Sequence, residues 1–309
     1  MARTAQILAM LMPLVFLTGL SQAAPIDILN AAGGSVQGYE HVAYPVSNIH
    51  DGSTTTDYLA PGAKDVVVFA DQVYDLTGYS HTNTNSTLYG VPTGLRFQYY
   101  GTDTSIPNTS SPQSGALGGR AGVIRMLPAG LPSEWGGVAS ELQILGNPTG
   151  AMRITAVTMH DSTPGYGDLP QFAPARAIDG DLTTDYAING SGTYFMELDF
   201  GSPTALGFVD FLGRTGTTNT SMSLTFSNDD VFGDAGDTVV ASITIADLYG
   251  SVDLAAVGHS GGITARYLRM DISGATNPGA QEIAFYGVPE PATLALLGIG
   301  AVALLRRRR

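Results

Sequence analysis

One arrangement of residues occurs twice along this chain, and it narrows the fold more than any other feature. Asn48-Ile49-His50-Asp51-Gly52-Ser53-Thr54-Thr55-Thr56-Asp57-Tyr58 aligns with Arg176-Ala177-Ile178-Asp179-Gly180-Asp181-Leu182-Thr183-Thr184-Asp185-Tyr186. An apolar stretch follows each, Val66 to Ala70 and Tyr194 to Phe200. Next come Leu95 to Tyr99 and Met222 to Phe226, both alternating apolar and polar, and then Ile124-Arg125-Met126 against Leu268-Arg269-Met270. Each copy closes on a Glu-led strand ending in glycine, Glu141 to Gly146 and Glu282 to Gly287. Landmarks recurring in one order predict tandem domains over 24–147 and 151–287, divided near Asn147-Pro148-Thr149-Gly150.

The alternation assigns faces. Met196, Leu198 and Phe200 are expected to point inward while Glu197 and Asp199 meet solvent; Leu268, Met270 and Ile272 do the same around Arg269 and Asp271. Half-buried antiparallel strands of this kind make an all-β protein of two β-sandwiches. With 39 glycines among 309 residues, the composition fits short strands joined by many turns. No cysteine is present, so the core must hold the fold without disulfides, with metal ions as possible helpers.

Both termini read as processing segments and stand apart from the fold. Met1 to Ala23 has one early charge, Arg3, an apolar run from Ile7 to Leu20, and a small-x-small end at Ser21-Gln22-Ala23, so a signal peptide is expected over 1–23. At the other end Val288-Pro289-Glu290-Pro291 precedes an uncharged stretch, Ala292 to Leu305, and the cluster Arg306-Arg307-Arg308-Arg309. At about 1.5 Å per residue that stretch makes roughly 21 Å of helix, short against a hydrocarbon core of about 30 Å. The arginines reach the interface and stay cytoplasmic. This order resembles the PEP-CTERM sorting signal of exported bacterial surface proteins. The resemblance implies recognition of Val288, Pro289, Glu290 and Pro291 by an exosortase-type enzyme. It also implies a transmembrane helix over 292–305 with its basic tail 306–309, giving at least transient anchoring in the envelope or matrix of a Gram-negative-type bacterium. Between the two ends, nine basic residues face 26 acidic ones. That balance argues against nucleic acid or anionic lipid as a partner.

The Asp-Gly loops have chemistry of their own. Asp179, Asp181 and Thr184 sit on a tight turn, allowed by Gly180, that aims two carboxylates and a hydroxyl at one point. Hard oxygen ligands suit Ca²⁺; the same turn also reads as an Asx-turn that stitches the loop without metal. Ala177-Ile178-Asp179-Gly180-Asp181, Thr184, the Arg266-Tyr267-Leu268-Arg269 strand and Glu282 to Gly287 resemble a discoidin-type, galactose-binding-like jelly roll. Tyr58 and Tyr186 stand where that family often has tryptophan. The resemblance adds the carbonyl of Arg176, the Glu282 carboxylate and the Gln281 carbonyl to the second site. In the first copy it points to Asp51, Ser53, Thr56 and Glu141 with carbonyls from Asn48 and Ser140; Ser53 replaces a carboxylate, so weaker binding is expected there.

Little else points to chemistry. Gly258-His259-Ser260-Gly261-Gly262 fits a nucleophile elbow in letters, but a strand rather than a helix is expected after it. The five histidines lack ligand spacing, and no cofactor motif occurs. Discoidin-type carbohydrate modules use Arg or His with Asn and an aromatic ring, which suggests Arg214 with Asn219, and His81 with Asn83 and Tyr79. The sequence therefore predicts a non-enzymatic, exported glycan-binding protein, or alternatively an inert structural protein of the surface or matrix, with a carbohydrate-active enzyme ranked below both.

Overall fold

The computed structural model describes residues 24–288, apart from 32, 39–42, 62–64, 84–91, 100–101, 108–111, 130–134, 166–168, 214–217 and 245–248. The signal peptide over 1–23 and the expected helix over 292–305 lie outside these residues. Among the described residues no helix is long and apolar enough to cross a membrane.

The repeat in the sequence is a repeat in space. The first half contributes β1 (Ile26–Asp27), β2 (Ser35–Gln37), β3 (Tyr58–Pro61), β4 (Val66–Thr82), β5 (Gly94–Tyr99), β6 (Thr102–Pro107), β7 (Gln113–Ala116), β8 (Arg120–Ala129), β9 (Trp135–Ala139) and β10 (Glu141–Ile154). The second contributes β11 (Thr158–Ser162), β12 (Tyr186–Ala187), β13 (Gly192–Gly213), β14 (Thr218–Ser227), β15 (Thr238–Thr244), β16 (Tyr249–Asp253), β17 (Ile263–Thr276) and β18 (Gly279–Gly287). Neighbours run β10-β4-β8-β5-β6 in one half and β18-β13-β17-β14-β15 in the other, the same order, and every pairing along both paths is antiparallel.

Two long strands make the jelly-roll corners. β13 pairs with β17 and β11 through its first half and with β18 and β16 through its second, with a register shift between Asp199 and Thr204. β4 does the same, pairing early with β2 and β8, later with β7 and β10, and shifting between Phe69 and Tyr74. Each strand thereby serves both layers of its sandwich.

The faces fall where the alternation placed them. Met196, Leu198, Leu268, Met270 and Ile272 are fully buried in one core, which draws on residues from 177 to 285. Arg269 lies outside it, bonded to Glu197 at 3.0 Å and Asp271 at 3.0 Å. A separate core draws on residues 28–144. Tyr58 and Tyr186 are both completely buried.

A third cluster joins the halves, and alternation alone does not reveal it. Val66 and Val68 enter the first core, while Val67 and Phe69 on the opposite face meet Phe208, Leu212, Ala284 and Tyr286 of the second half. The unbroken apolar run of β4 is thus a strand buried on both sides. Asp210 is 1% exposed in this interface, and its Oδ2 accepts the amides of Gly122 (3.3 Å) and Val123 (2.8 Å) from across it. Gly122 is needed there because a Cβ would stand 2.1 Å from the Tyr286 ring. The segment Asn147–Gly150, where the expected division falls, is no loose connection. β10 passes straight through it, and its end pairs with β18 through Arg153↔Tyr286 and Ile154↔Phe285.

Candidate functional site

Two loops repeat the same hydrogen bonds in the two halves. Short 3-10 turns, Val46–His50 and Pro174–Ile178, deliver the chain to Asp51 and Asp179. Gly52 (φ 78°) and Gly180 (φ 75°) then turn it through a region where side chains strain the backbone. Each glycine amide donates to the glutamate of the last strand: Gly52 to Glu141 Oε2 at 3.1 Å, Gly180 to Glu282 Oε2 at 2.9 Å. Each aspartate accepts the amide two residues on, from Ser53 at 2.8 Å and Asp181 at 2.9 Å. Each threonine hydroxyl reaches back to that aspartate, Thr56 to Asp51 Oδ2 at 2.7 Å and Thr184 to Asp179 Oδ2 at 2.9 Å.

The structure therefore brings Asp179, Thr184 and Glu282 together, and likewise Asp51, Thr56 and Glu141. The side chains of the middle residues, Asp181 and Ser53, bond within their own loops. Asp181 Oδ1 accepts from the Thr183 amide (2.9 Å) and hydroxyl (2.7 Å), bonds that hold its carboxyl below the usual range. Ser53 Oγ pairs with Thr55 Oγ1 at 2.9 Å. Position i+2 thus spends one side-chain oxygen on its own loop, while the Asp181 charge, with that of Asp179, still helps to raise the Glu282 carboxyl. Arg176 Nη1 lies 3.2 Å from Asp179 Oδ2. Gln281 Nε2 donates to the Leu182 carbonyl at 2.7 Å, Asn48 Nδ2 to the Asp57 carbonyl at 2.9 Å, and Ser140 Oγ to Asp57 Oδ1 at 2.6 Å. These side chains fasten the loops.

Among the described residues no three His, Cys, Asp or Glu side chains gather as a metal cluster. A cation would meet one Asp, one Glu and one Thr hydroxyl here. Glu282 supplies the test of fit. It is 1% exposed, and its Oε1 has no hydrogen-bond partner; Arg153 Nη2 stands 3.7 Å away, too far for one. Burial pushes its carboxyl up to about 8, against the opposing pull of the Gly180 amide and Arg153. A cavity of about 270 Å³, lined by Arg153, Thr155, Ile178, Asp179, Gly180 and Glu282 among others, opens beside it. An orphaned, buried carboxylate oxygen facing a polar cavity beside a second carboxylate fits a hard divalent ion. Glu141 is raised in the same direction, first by burial and also by Asp51 and Asp27. Arg153 was invisible to motif reasoning because it lies at the start of the second domain, where no motif falls.

The expected ligand-binding residues are placed differently. Tyr79 (3% exposed) and His81 (0%) belong to the interior, Tyr79 packing on Phe97 with ring centres 5.0 Å apart. Asn219 is buried, and its amide is bonded at both ends to Gly279. The Asn83 carbonyl accepts from Ser140 Oγ. Tyr79, His81 and Asn219 are thus withdrawn from solvent, while Asn83 is half-buried; Arg214 lies outside the described residues. The inward turn follows from the strands: Tyr79 and His81 lie on β4 and Asn219 on β14, not on loops.

An open feature lies between the halves. A cleft of about 140 Å³ is lined by Val73, Arg120, Phe208, Asp253, His259 and Ser260 among others. Arg120 spans it, bonded to Asp75 of its own half at 2.9 Å and to Asp253 of the other at 3.4 Å. The Gly258–Gly262 stretch forms turns that lead into β17, with no helix after Ser260. Val288 also lines the cleft. Pro289, Glu290 and Pro291 lie outside the described residues.

Residues 287–309 match the PEP-CTERM protein-sorting motif. The chain thus carries the signal of an exported protein sorted to the cell envelope or surface. No curated protein matches it. Among solved structures it is similar to a fucolectin from striped bass (Morone saxatilis) serum, at 13% identity over 82% of this chain and 95% of that one, TM-score 0.35. It is also similar to a Ruminococcus gnavus GH29 fucosidase, at 16% identity over 45% of this chain and 27% of that one, TM-score 0.38. A third is the family 32 carbohydrate-binding module of Clostridium perfringens NanJ in complex with galactose, at 19% identity over 43% and 97%, TM-score 0.34. Likeness at such identity concerns fold and says nothing of ligands.

Proposed function

We propose that this chain is a non-catalytic binding protein of the bacterial envelope or its surrounding matrix. An exosortase-type enzyme hands it on, and a membrane helix over 292–305 holds it at least transiently. Its two domains, over 24–147 and 151–287, are braced by Ca²⁺ at the Asp51/Thr56/Glu141 and Asp179/Thr184/Glu282 loops, and extracellular glycan is the ligand.

The cleft between the halves carries the glycan reading. It combines an apolar floor, Val73 and Phe208, with Arg120, Asp253, His259 and Ser260 as hydrogen-bonding groups. Its volume of about 140 Å³ is below the roughly 300–1,000 Å³ of drug-sized pockets, which suits a single sugar ring or a chain end. The excess of acidic residues favours neutral sugars over anionic ones. The test is a glycan array probed with the full chain, beside the Arg120→Ala and His259→Ala variants. Binding of neutral glycans that both variants weaken supports the reading; no binding to any glycan overturns it.

A second reading, an inert spacer of the surface or matrix, draws on one observation. Tyr79, His81 and Asn219 are all spent inside the fold. A blank array together with normal surface display favours it.

A further inference from the structure

We propose that the Asp179–Thr184 loop is a latch between the two domains, so that a divalent cation held there fastens the first domain to the second. The inference rests on the cation reading above and deepens it by giving the two sites different work.

Three contacts tie this loop and the Glu282 beside it to the first half. Gln37, on β2, lies 143 positions from Gly180 in sequence, yet its Nε2 donates to the Gly180 carbonyl. Its Oε1 accepts from the Leu182 amide at 3.0 Å, so one side-chain amide grips the loop at both ends of its turn. The Leu182 side chain packs against the cluster that joins the halves, which includes Val67, Phe69 and Val123. Arg153, beyond the crossing point of β10, stacks its guanidinium 5.1 Å from the Phe69 ring centre and stands 3.7 Å from Glu282 Oε1. The first loop is built differently. The hydrogen bonds described for it run to Glu141, Asp57 and its own residues, all within the first domain.

The coupling follows from geometry. The backbone shape that brings Asp179 and Thr184 toward Glu282 is the shape that presents the Gly180 carbonyl and Leu182 amide to Gln37. A cation that fixes this shape favours the Gln37 grip, and by linkage the grip favours the cation equally. Where two part-buried hydrogen bonds order a ligand loop, their loss weakens binding on the order of tenfold.

The test titrates CaCl₂ into the full chain by calorimetry, with hydrogen exchange read at the Val67–Phe69 and Val123 amides. The wild type is expected to take up calcium at two sites, with those amides exchanging more slowly in calcium than in EDTA. Gln37→Leu is expected to leave one site unchanged, weaken the other about tenfold and abolish the slowing. Leu182→Ala attacks the latch from the other side and is expected to act in the same direction, which covers misfolding of either variant. Calcium uptake in the wild type with unaltered affinities and protection in both variants overturns the latch and leaves the cation reading standing. Absence of calcium uptake by the wild type overturns both.

Discussion

Replacing Glu282 with glutamine should stabilise the protein in EDTA and remove about half of its response to calcium. The carboxyl is 1% exposed, and burial raises it from 4.5 to about 8. The folded state therefore holds the Glu282 proton more tightly than the unfolded chain does. Its stabilising contribution is complete below pH 4.5 and is lost progressively as pH rises toward 8. Each pH unit in that window removes about 1.4 kcal/mol, so at pH 7 the metal-free fold is weaker by about 3 kcal/mol. Glutamine carries no such penalty and can still accept from the Gly180 amide through its carbonyl oxygen. Its NH₂ takes the place of the orphaned Oε1 and faces Arg153, a mismatch that costs about 1 kcal/mol. The net gain of about 2 kcal/mol corresponds to roughly 4–8 °C in Tm for a protein of this size. Calcium at a hundred times its Kd adds about 2.7 kcal/mol per site to the wild type and nothing at the second site of the variant. Thermal melts at pH 7 should thus show Glu282→Gln above wild type in EDTA, with the order narrowed or reversed in calcium; repeated at pH 4.5, the EDTA gap should close and turn slightly in favour of wild type. A variant that melts below wild type in EDTA at pH 7, or gains as much from calcium, refutes the reasoning.

Two further outcomes concern the contact between the halves. Asp210→Ala leaves the buried amides of Gly122 and Val123 without their shared acceptor and should cost about 3 kcal/mol in urea unfolding; a loss under about 1 kcal/mol would deny Asp210 its role in docking. Gly122→Ala drives a methyl into the Tyr286 ring and should cost about 1–3 kcal/mol, less than additively when combined with Tyr286→Ala. Additive losses would mean the two residues do not touch.

Much of this was legible in the sequence where a local rule fixed the outcome. The alternation around Glu197 and Arg269 placed Met196, Leu198, Leu268 and Met270 in the core because a strand repeats every two residues. The Asp-Gly turns were readable because glycine takes the φ of 75–78° that both loops use with the least strain. The contact between the halves was not readable in advance. Asp210 sits in Phe208-Val209-Asp210-Phe211-Leu212 as a lone polar residue, which in a single sandwich would mark the solvent side. Here that side is covered by the other half, and the carboxylate is buried against two foreign amides. Tyr79, His81 and Asn219 were misplaced for a related reason. Polar and aromatic types suggest a binding loop, but strand membership and burial decide, and neither follows from residue type alone. Gln37 escaped because a three-residue strand far from the loop gives no local signal of what its side chain grips.

The crossing of β10 from one sandwich into the other has a mechanical consequence. A pull on the C-terminus at Val288 enters directly through β18, hydrogen-bonded along its length to β13 on one side and to the end of β10 on the other. Antiparallel strands loaded along their axes must break many bonds at once rather than unzip singly. The load is also passed at its point of entry to the strand that belongs to both halves. Tension entering at Val288 would therefore be shared by both sandwiches.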